Sequence, residues 1–124
     1  MPRFVILRHD TPPDYQRPVH WDLMLETDAA LATWALPREP AAGVTMIADV
    51  LGDHRIEFLD YEGPLSGNRG EVRRWDQGTF ELLPATDDRR VVCLSGSRFV
   101  GQVSMRALSD RPGKVEMRFE AMSR

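Results

Sequence analysis

The sequence predicts an all-β fold: a small closed or nearly closed antiparallel β-barrel of short strands with little helix. Short apolar runs recur along the chain, and turn residues separate them roughly every eight to twelve residues. No amphipathic helix of useful length interrupts this pattern. We favour a closed barrel over an open sheet because closure removes the exposed strand edges that promote aggregation.

The first two predicted strands flank a proline-rich loop. Residues 3–8 predict a strand whose apolar centre is typical of a strand covered on both faces, and His9 follows it. Residues 11–18 contain three prolines and predict a loop. Residues 20–26 predict the second strand, so that His9 and His20 stand at the two ends of the loop.

Side chains alternate along a strand, so the second strand has two different faces. The polar face carries His20, Asp22, Met24 and Glu26, and the apolar face carries Trp21, Leu23 and Leu25. The apolar face can anchor in a core while the other presents an imidazole beside a carboxylate. The alternative is an ordinary half-buried strand whose polar face meets water.

The remaining predicted strands follow in order along the chain. They span residues 31–36, 44–51, 54–59, 71–75, 79–83, 90–95, 98–108 and 114–122. In the third of these, Ile56 and Phe58 alternate with charged residues, as in a half-exposed strand. Residues 76–78 end in glycine and predict a hairpin turn between the two strands that flank them.

The length and the net charge of the chain limit the classes of function that it can have. A chain of 124 residues predicts one domain, residues 1–124, whose core needs no disulfide, and its single cysteine cannot form one internally. No positively charged leader or membrane-spanning stretch is evident, so we expect a cytoplasmic protein that does not bind membranes. A net charge of -3 argues against non-specific coating of nucleic acid.

Three residues near the N-terminus form a candidate metal site. His9, His20 and Asp22 offer two imidazoles and one carboxylate, a set that binds divalent transition metals and leaves coordination positions open. His20 and Asp22 share one strand face, whereas His9 must arrive through the fold. For each histidine of the chain, His54 included, the alternative is an ordinary solvated or hydrogen-bonded side chain.

Other familiar catalytic motifs are absent from the sequence. It has no glycine-rich phosphate loop before a helix, no Gly-x-Ser-x-Gly elbow and no paired-cysteine metal motif. Several arginines are candidates for anion contacts, although such a residue is more often a solvated surface charge: Arg38, Arg55, Arg69, Arg73 and Arg74.

An ordered series of short motifs resembles one known family. The motifs are Arg3-Phe4-Val5, His9-Asp10, His20-Trp21-Asp22-Leu23-Met24-Leu25-Glu26, Trp34-Ala35-Leu36-Pro37-Arg38, Asp53-His54, Tyr61-Glu62-Gly63, Trp75-Asp76-Gln77-Gly78-Thr79-Phe80-Glu81, Leu94-Ser95-Gly96 and Gly101 with Arg106. In this order the sequence resembles the polynucleotide 3′-phosphoesterase domain of bacterial DNA ligase D. The resemblance covers nearly the whole chain.

The resemblance implies a manganese-dependent hydrolase of DNA repair by end joining. It implies removal of a 3′-phosphate or a terminal ribonucleoside from nucleic-acid 3′ ends, with separate ligase and polymerase proteins as partners. The metal ligands carry over to His9, His20 and Asp22, with zinc as the alternative ion. His54 carries over as an active-site residue that contacts the phosphate or acts as general acid, and Arg38 stands where the family has a phosphate-binding lysine.

Four positions depart from the family's pattern. Met24 occupies the position of an arginine that holds the phosphate, Phe58 that of an active-site tyrosine, Leu7 that of a glutamine and Met46 that of a further arginine. An uncharged side chain cannot stabilise a phosphoryl transition state, and losing one such donor costs on the order of a hundredfold in rate. The residues that could substitute from another direction are Tyr61, Arg8, Arg17, Arg55 and Arg69.

Three functions therefore stay open at this point. The first is a phosphoesterase-like enzyme with the ligand set above. The second is a non-catalytic module that binds a metal or nucleic-acid ends. The third is a metal-dependent enzyme that acts on another small substrate, which the apolar replacements favour.

Overall fold

The fold is a single antiparallel sheet that closes on itself. The computed structural model describes residues 1–86 and 88–122. Its strands are β1 Arg3–Asp10, β2 His20–Glu26, β3 Leu31–Leu36, β4 Thr45–His54, β5 Gly63–Pro64, β6 Glu71–Thr86, β7 Arg89–Gly96, β8 Val100–Ala107 and β9 Lys114–Ala121, and one 3₁₀ turn, η1, spans Ile56–Leu59.

Pairing of β1 with β6 closes the ring. The strand order is β1-β2-β3-β4-β9-β8-β7-β6, and β1 pairs with both β2 and the first half of β6. The second half of β6 pairs with β7, while the short β5 pairs with the first residues of β6. This ring of antiparallel strands confirms the predicted all-β class and its closed or nearly closed architecture.

The sheet is buried on both faces near β1 and β2. Phe4 and Ile6 point into the core enclosed by the ring, where they meet Leu23 and Leu25 of β2. A second, smaller cluster covers the outer face; its buried members are Val5, Leu7, Met24, Leu31, Leu59 and Val72. The prediction that the first strand is covered on both faces is therefore confirmed, because η1 and the segment after it lie over that outer face.

Two local predictions were wrong. Residues 54–59 do not form a strand: β4 ends at His54 and η1 follows, because Ile56, Phe58 and Leu59 turn onto the outer cluster. Residues 76–78 are not a hairpin turn but the middle of β6, where Gly78 pairs with Phe4 on one edge and Gly96 on the other. A side chain on Gly78 would begin 2.0 Å from the Ser95 carbonyl oxygen, so glycine there permits close strand approach.

Among the described residues, no helix is long and apolar enough to cross a membrane.

Candidate metal centre

Three buried polar side chains converge on the outer face of β1 and β2. The strand register places His9 opposite His20 and Leu7 opposite Asp22. His9 is 6% exposed, and His20 and Asp22 are each 3% exposed. One ligand atom from each of the three side chains lies within 4.8 Å of the others. The structure thus joins His9 to the pair on β2, as a shared site requires.

Main-chain carbonyls fix the orientation of both imidazole rings. His9 Nε2 lies 2.7 Å from the Arg69 carbonyl oxygen, and His20 Nδ1 lies 2.9 Å from that of Pro18. A carbonyl only accepts hydrogen bonds, so the neutral rings donate through these two nitrogens. The lone pairs of His9 Nδ1 and His20 Nε2 therefore face inward.

These inward-facing lone pairs meet each other and a carboxylate. His9 Nδ1 is 3.2 Å from His20 Nε2. Asp22 Oδ1 is 3.2 Å from His20 Nε2, and Asp22 Oδ2 is 3.7 Å from His9 Nδ1. Asp22 Oδ1 is buried without a hydrogen-bond partner among the described residues. A cluster composed of acceptors alone fits a cation, since a cation satisfies all three groups at once.

Without a metal, the cluster favours a proton on His20 over one on His9. Burial opposes protonation of His20, but the Asp22 carboxylate, as charge and hydrogen-bond acceptor, outweighs it and raises the His20 pKa. Burial lowers the pKa of His9, and the nearby charge of His20 adds to this effect. The carbonyl of Arg69 opposes that shift without cancelling it.

The proline-rich loop covers the cluster. The ring of Tyr15 packs edge-on against His9 with 5.6 Å between ring centroids. Arg17, further along the loop, donates to Asp49 of β4 at 3.1 Å, and Lys114 of β9 binds the same carboxylate. The loop is thereby attached to β4 through Asp49, and the same carboxylate is bound to β9.

Comparison with known proteins identifies the family of this buried site. Residues 9–118 match the family described as the DNA ligase D 3′-phosphoesterase domain. The chain belongs to this family.

Similar curated proteins are longer repair proteins. The chain is 31% identical over 111 residues to the multifunctional non-homologous end joining DNA repair protein LigD of Mycobacterium tuberculosis, an alignment that covers 82% of this chain and 14% of that protein. It is 31% identical over 93 residues to the LigD protein of Pseudomonas aeruginosa, an alignment that covers 71% of this chain and 10% of that protein. This chain thus corresponds to about a seventh or less of the length of these relatives.

Three of the four positions that depart from the pattern implied by the resemblance lie close together. Leu7 and Met24 are fully buried neighbours of Asp22, one opposite it and the other two residues along β2, and Phe58 packs against the same outer cluster. Met46 lies elsewhere, in the core enclosed by the ring. These three apolar side chains therefore pack together in the outer cluster, and Leu7 and Met24 adjoin Asp22.

His54 and Arg38 stand outside the ligand set. His54 ends β4 opposite Leu31, which in turn pairs with Glu26 at the end of β2 away from His20. Its ring contacts Phe58 edge-on at 5.9 Å and bonds the Gly52 carbonyl at 2.9 Å.

Arg38 is exposed and follows β3 at the end where His20 begins β2, since Leu36 pairs with Trp21. In the described part of the chain it forms no ion pair. The side chain of the next residue, Glu39, accepts a hydrogen bond from Trp75 Nε1 at 2.9 Å. This bond fixes the turn that carries Arg38.

Sequence reasoning missed the groups that orient the ligands. The carbonyls of Arg69 and Pro18 have no side-chain signature, because every residue carries a carbonyl. For the Arg69 carbonyl, the sequence offered a signal in the glycine that follows at position 70. In the structure Gly70 has a positive φ of 90°, and a side chain there would begin 1.9 Å from the Asp10 carbonyl oxygen. Such a glycine marks the close approach that brings Arg69 to His9.

Proposed function

We propose that this protein hydrolyses a phosphate ester at the 3′ end of a nucleic acid, with a divalent cation bound by His9, His20 and Asp22. The observation that carries the proposal is the buried cluster in which three acceptors face one another with no donor between them. Membership of the 3′-phosphoesterase domain family supports the substrate class.

The protein's own groups have separate roles in this proposal. The Arg69 and Pro18 carbonyls hold both rings so that unprotonated nitrogens face inward, and Asp22 contributes the negative charge that retains a cation. Manganese is the proposed ion and zinc the alternative, because imidazole and carboxylate suit both. A divalent ion held there supplies Lewis acidity toward a phosphoryl oxygen.

Two residues outside the cluster complete the proposal. Arg38, exposed at the end of the sheet where β2 begins, would attract the phosphate of an approaching strand. His54 would contact the phosphate or act as general acid for a substrate that reaches across Phe58. The proposed partners are nucleic-acid 3′ ends and ligase and polymerase proteins of end joining, since the similar LigD protein is named for non-homologous end joining.

A second candidate is a module that binds metal and nucleic-acid ends without hydrolysis. The burial of Leu7 and Met24 favours it, because the family's polar groups at these positions are replaced by side chains that offer no hydrogen bond to a phosphate. The two candidates share the ligand set and differ only in turnover.

The test is manganese-dependent turnover of a primer–template that ends in a 3′-phosphate or a single 3′-ribonucleotide. We expect product with the wild type and none with His20→Ala. Arg73→Gln is the matched control, because Arg73 is exposed and paired with Glu71 at 3.3 Å. Manganese binding without turnover by the wild type would reject hydrolysis of these substrates and leave the second candidate. Turnover that His20→Ala retains would reject the proposed ligand set.

A further inference from the structure

Arg69 connects the ligand set to a pocket on the same outer side of the sheet. Its carbonyl holds His9, while its side chain lines a cavity of about 310 Å³ between η1 and residues 61–70. This size lies in the range of small-molecule sites. The lining includes Arg55, Glu57, Phe58, Tyr61, Ser66 and Arg69.

The Arg69 side chain is held in a defined position. Its Nε donates to the Ser66 carbonyl at 2.7 Å and its Nη2 to Ser66 Oγ at 3.1 Å. A guanidinium anchored on one side keeps its remaining donors oriented, which suits bidentate binding of a phosphate. The same residue therefore orients a metal ligand with its backbone and presents a cation to the pocket.

The charge of the pocket is positive. Arg55 is the second cation of the lining, and the only acid among the lining residues is Glu57, whose carboxylate is 3.9 Å from Arg55. Both side chains of this pair are largely exposed, at 84% and 70%. An ion pair with this much exposure is weak, so an anion can replace Glu57 as the partner of Arg55 at little cost in free energy.

Aromatic rings form another wall of the pocket. Phe58 and Tyr61 pack edge-to-face with 5.9 Å between their centroids, and Leu65 extends the apolar surface. The Tyr61 hydroxyl donates to the Pro64 carbonyl, so its ring is fixed while 37% of the residue stays exposed. An exposed, oriented aromatic ring is a stacking surface for a nucleobase.

We propose that this pocket binds a nucleotide, with its phosphate on Arg69 and Arg55 and its base against Tyr61 and Phe58. The anion-binding group of this protein then lies between η1 and residues 61–70, instead of on the strand face where Leu7 and Met24 are buried. The inference deepens the proposed function and rests on it for the link between the pocket and the metal centre.

The experiment measures equilibrium binding of adenosine 3′-monophosphate to the metal-free protein by calorimetry. Inorganic phosphate, adenosine and a single-stranded oligonucleotide with a 3′-phosphate are the other probes. We expect the nucleotide to bind more tightly than phosphate or adenosine alone. We expect Arg69→Gln and Arg55→Gln each to weaken it about tenfold or more, because each removes a charge-assisted hydrogen bond. Arg73→Gln, with the same charge change outside the pocket, should bind as the wild type does.

The outcomes separate this inference from the proposed function. If the arginine variants bind the nucleotide as tightly as the wild type, or if the wild type binds none of the probes, the pocket assignment is rejected. Arg55→Gln is the deciding variant if Arg69→Gln disturbs the loop, since among the described residues the Arg55 side chain forms only an exposed ion pair with Glu57, and its backbone bond to Phe58 is kept in the variant. Arginine-dependent binding without turnover would reject hydrolysis alone. Turnover with an unchanged KM in both arginine variants would reject the pocket alone. The oligonucleotide arm shows whether the nucleotide is free or at the end of a strand.

Discussion

His9 Nδ1 and His20 Nε2 face each other across 3.2 Å, and the carbonyls of Arg69 and Pro18 hold the ring hydrogens on the opposite nitrogens. Such a pair repels unless a proton or a metal ion lies between its members. The carboxylate of Asp22 beside them adds a third acceptor. The stability of the site therefore depends on which cation it holds, and three of the predictions below concern this dependence or the surface beside it.

Substitution of a ligand should abolish metal binding, whereas substitution of His54 should not. We expect Asp22→Ala and His20→Ala to weaken manganese binding by more than the ten- to hundredfold that follows loss of an outer-shell partner. His54→Ala is the matched control, because His54 bonds Gly52 and lies outside the cluster. Calorimetry with manganese and then zinc measures the effect. Equal loss of affinity in the His54 variant would contradict the ligand set.

Replacement of Asp22 by asparagine should stabilise the metal-free protein at alkaline pH. The raised pKa of His20 means that its protonated form contributes stability below the unfolded pKa of about 6.5, and that this contribution is lost as the pH rises through the folded value. The asparagine amide can donate to the unprotonated ring, a bond worth about 1 kcal/mol. Urea unfolding with a chelator at pH 5 and pH 9 tests this.

The change that Asp22→Asn makes in the free energy of unfolding should reverse its sign at low pH or when manganese is present. At pH 5 the wild type keeps its imidazolium–carboxylate pair and should be the more stable protein. With manganese at about a hundredfold over its Kd, the wild type should gain about 2.7 kcal/mol that the variant lacks. A variant that is less stable than the wild type at every pH without metal would show that the three acceptors are satisfied in another way.

Replacement of Met24 by the arginine that the resemblance implies at this position should destabilise the fold. Met24 is 1% exposed within the outer cluster, so Met24→Arg places a long charged side chain among apolar neighbours. The nearest acid on its strand face, Asp22, already faces His9 and His20. We expect a loss of about 3 kcal/mol or more in the free energy of unfolding. Phe58→Tyr is the matched control, because Phe58 is partly exposed and lines the pocket, where an added hydroxyl can reach water. A fully stable Met24→Arg protein would mean that the outer cluster opens to admit the charge.

Asp49 should contribute stability that disappears in acid. The hydrogen bond from Lys114, with the charges of Lys114 and Arg17, holds the pKa of Asp49 below its usual value. This contribution is complete above the unfolded pKa of about 3.9 and is lost as the pH falls through the lower folded value. Asp49→Asn should therefore be less stable at pH 7 and converge with the wild type near pH 2.

The size of the Asp49 effect should be modest, because its side chain is 30% exposed. Asp53→Asn serves as control, since Asp53 is an exposed acid on the same strand without an ion pair among the described residues. Denaturant unfolding at several pH values measures both variants. An Asp49→Asn deficit that persists unchanged at pH 2 would assign the effect to lost packing rather than charge.

Local patterns in the sequence were sufficient for the fold class and for the candidate ligands. Alternation along residues 20–26 put His20 beside Asp22 on one strand face, and β2 has these bounds. The alternative, an ordinary polar face toward water, does not describe this strand, because His20, Asp22 and Met24 of that face are buried. A period of two identifies which side chains share a face but not what covers that face.

The features that only the tertiary structure decided depend on strand pairing and packing between distant residues. The β1–β2 register brings His9 to His20, and Gly78 continues β6 because strands pair with it on both edges. The gathering of Leu7, Met24 and Phe58 into one apolar cluster follows from the path of η1 across the outer face.

The sequence by itself determined an all-β chain with two imidazoles and a carboxylate near its start, because strand periodicity and side-chain chemistry are local properties. The tertiary structure decided that His9, His20 and Asp22 face one another as acceptors and that a pocket with two arginines lies on the same outer side of the sheet. The orientation of His9 depends on the carbonyl of Arg69, and the pocket on its side chain, sixty residues along the chain from His9. Contacts over such a separation arise from long-range packing, which no local pattern encodes.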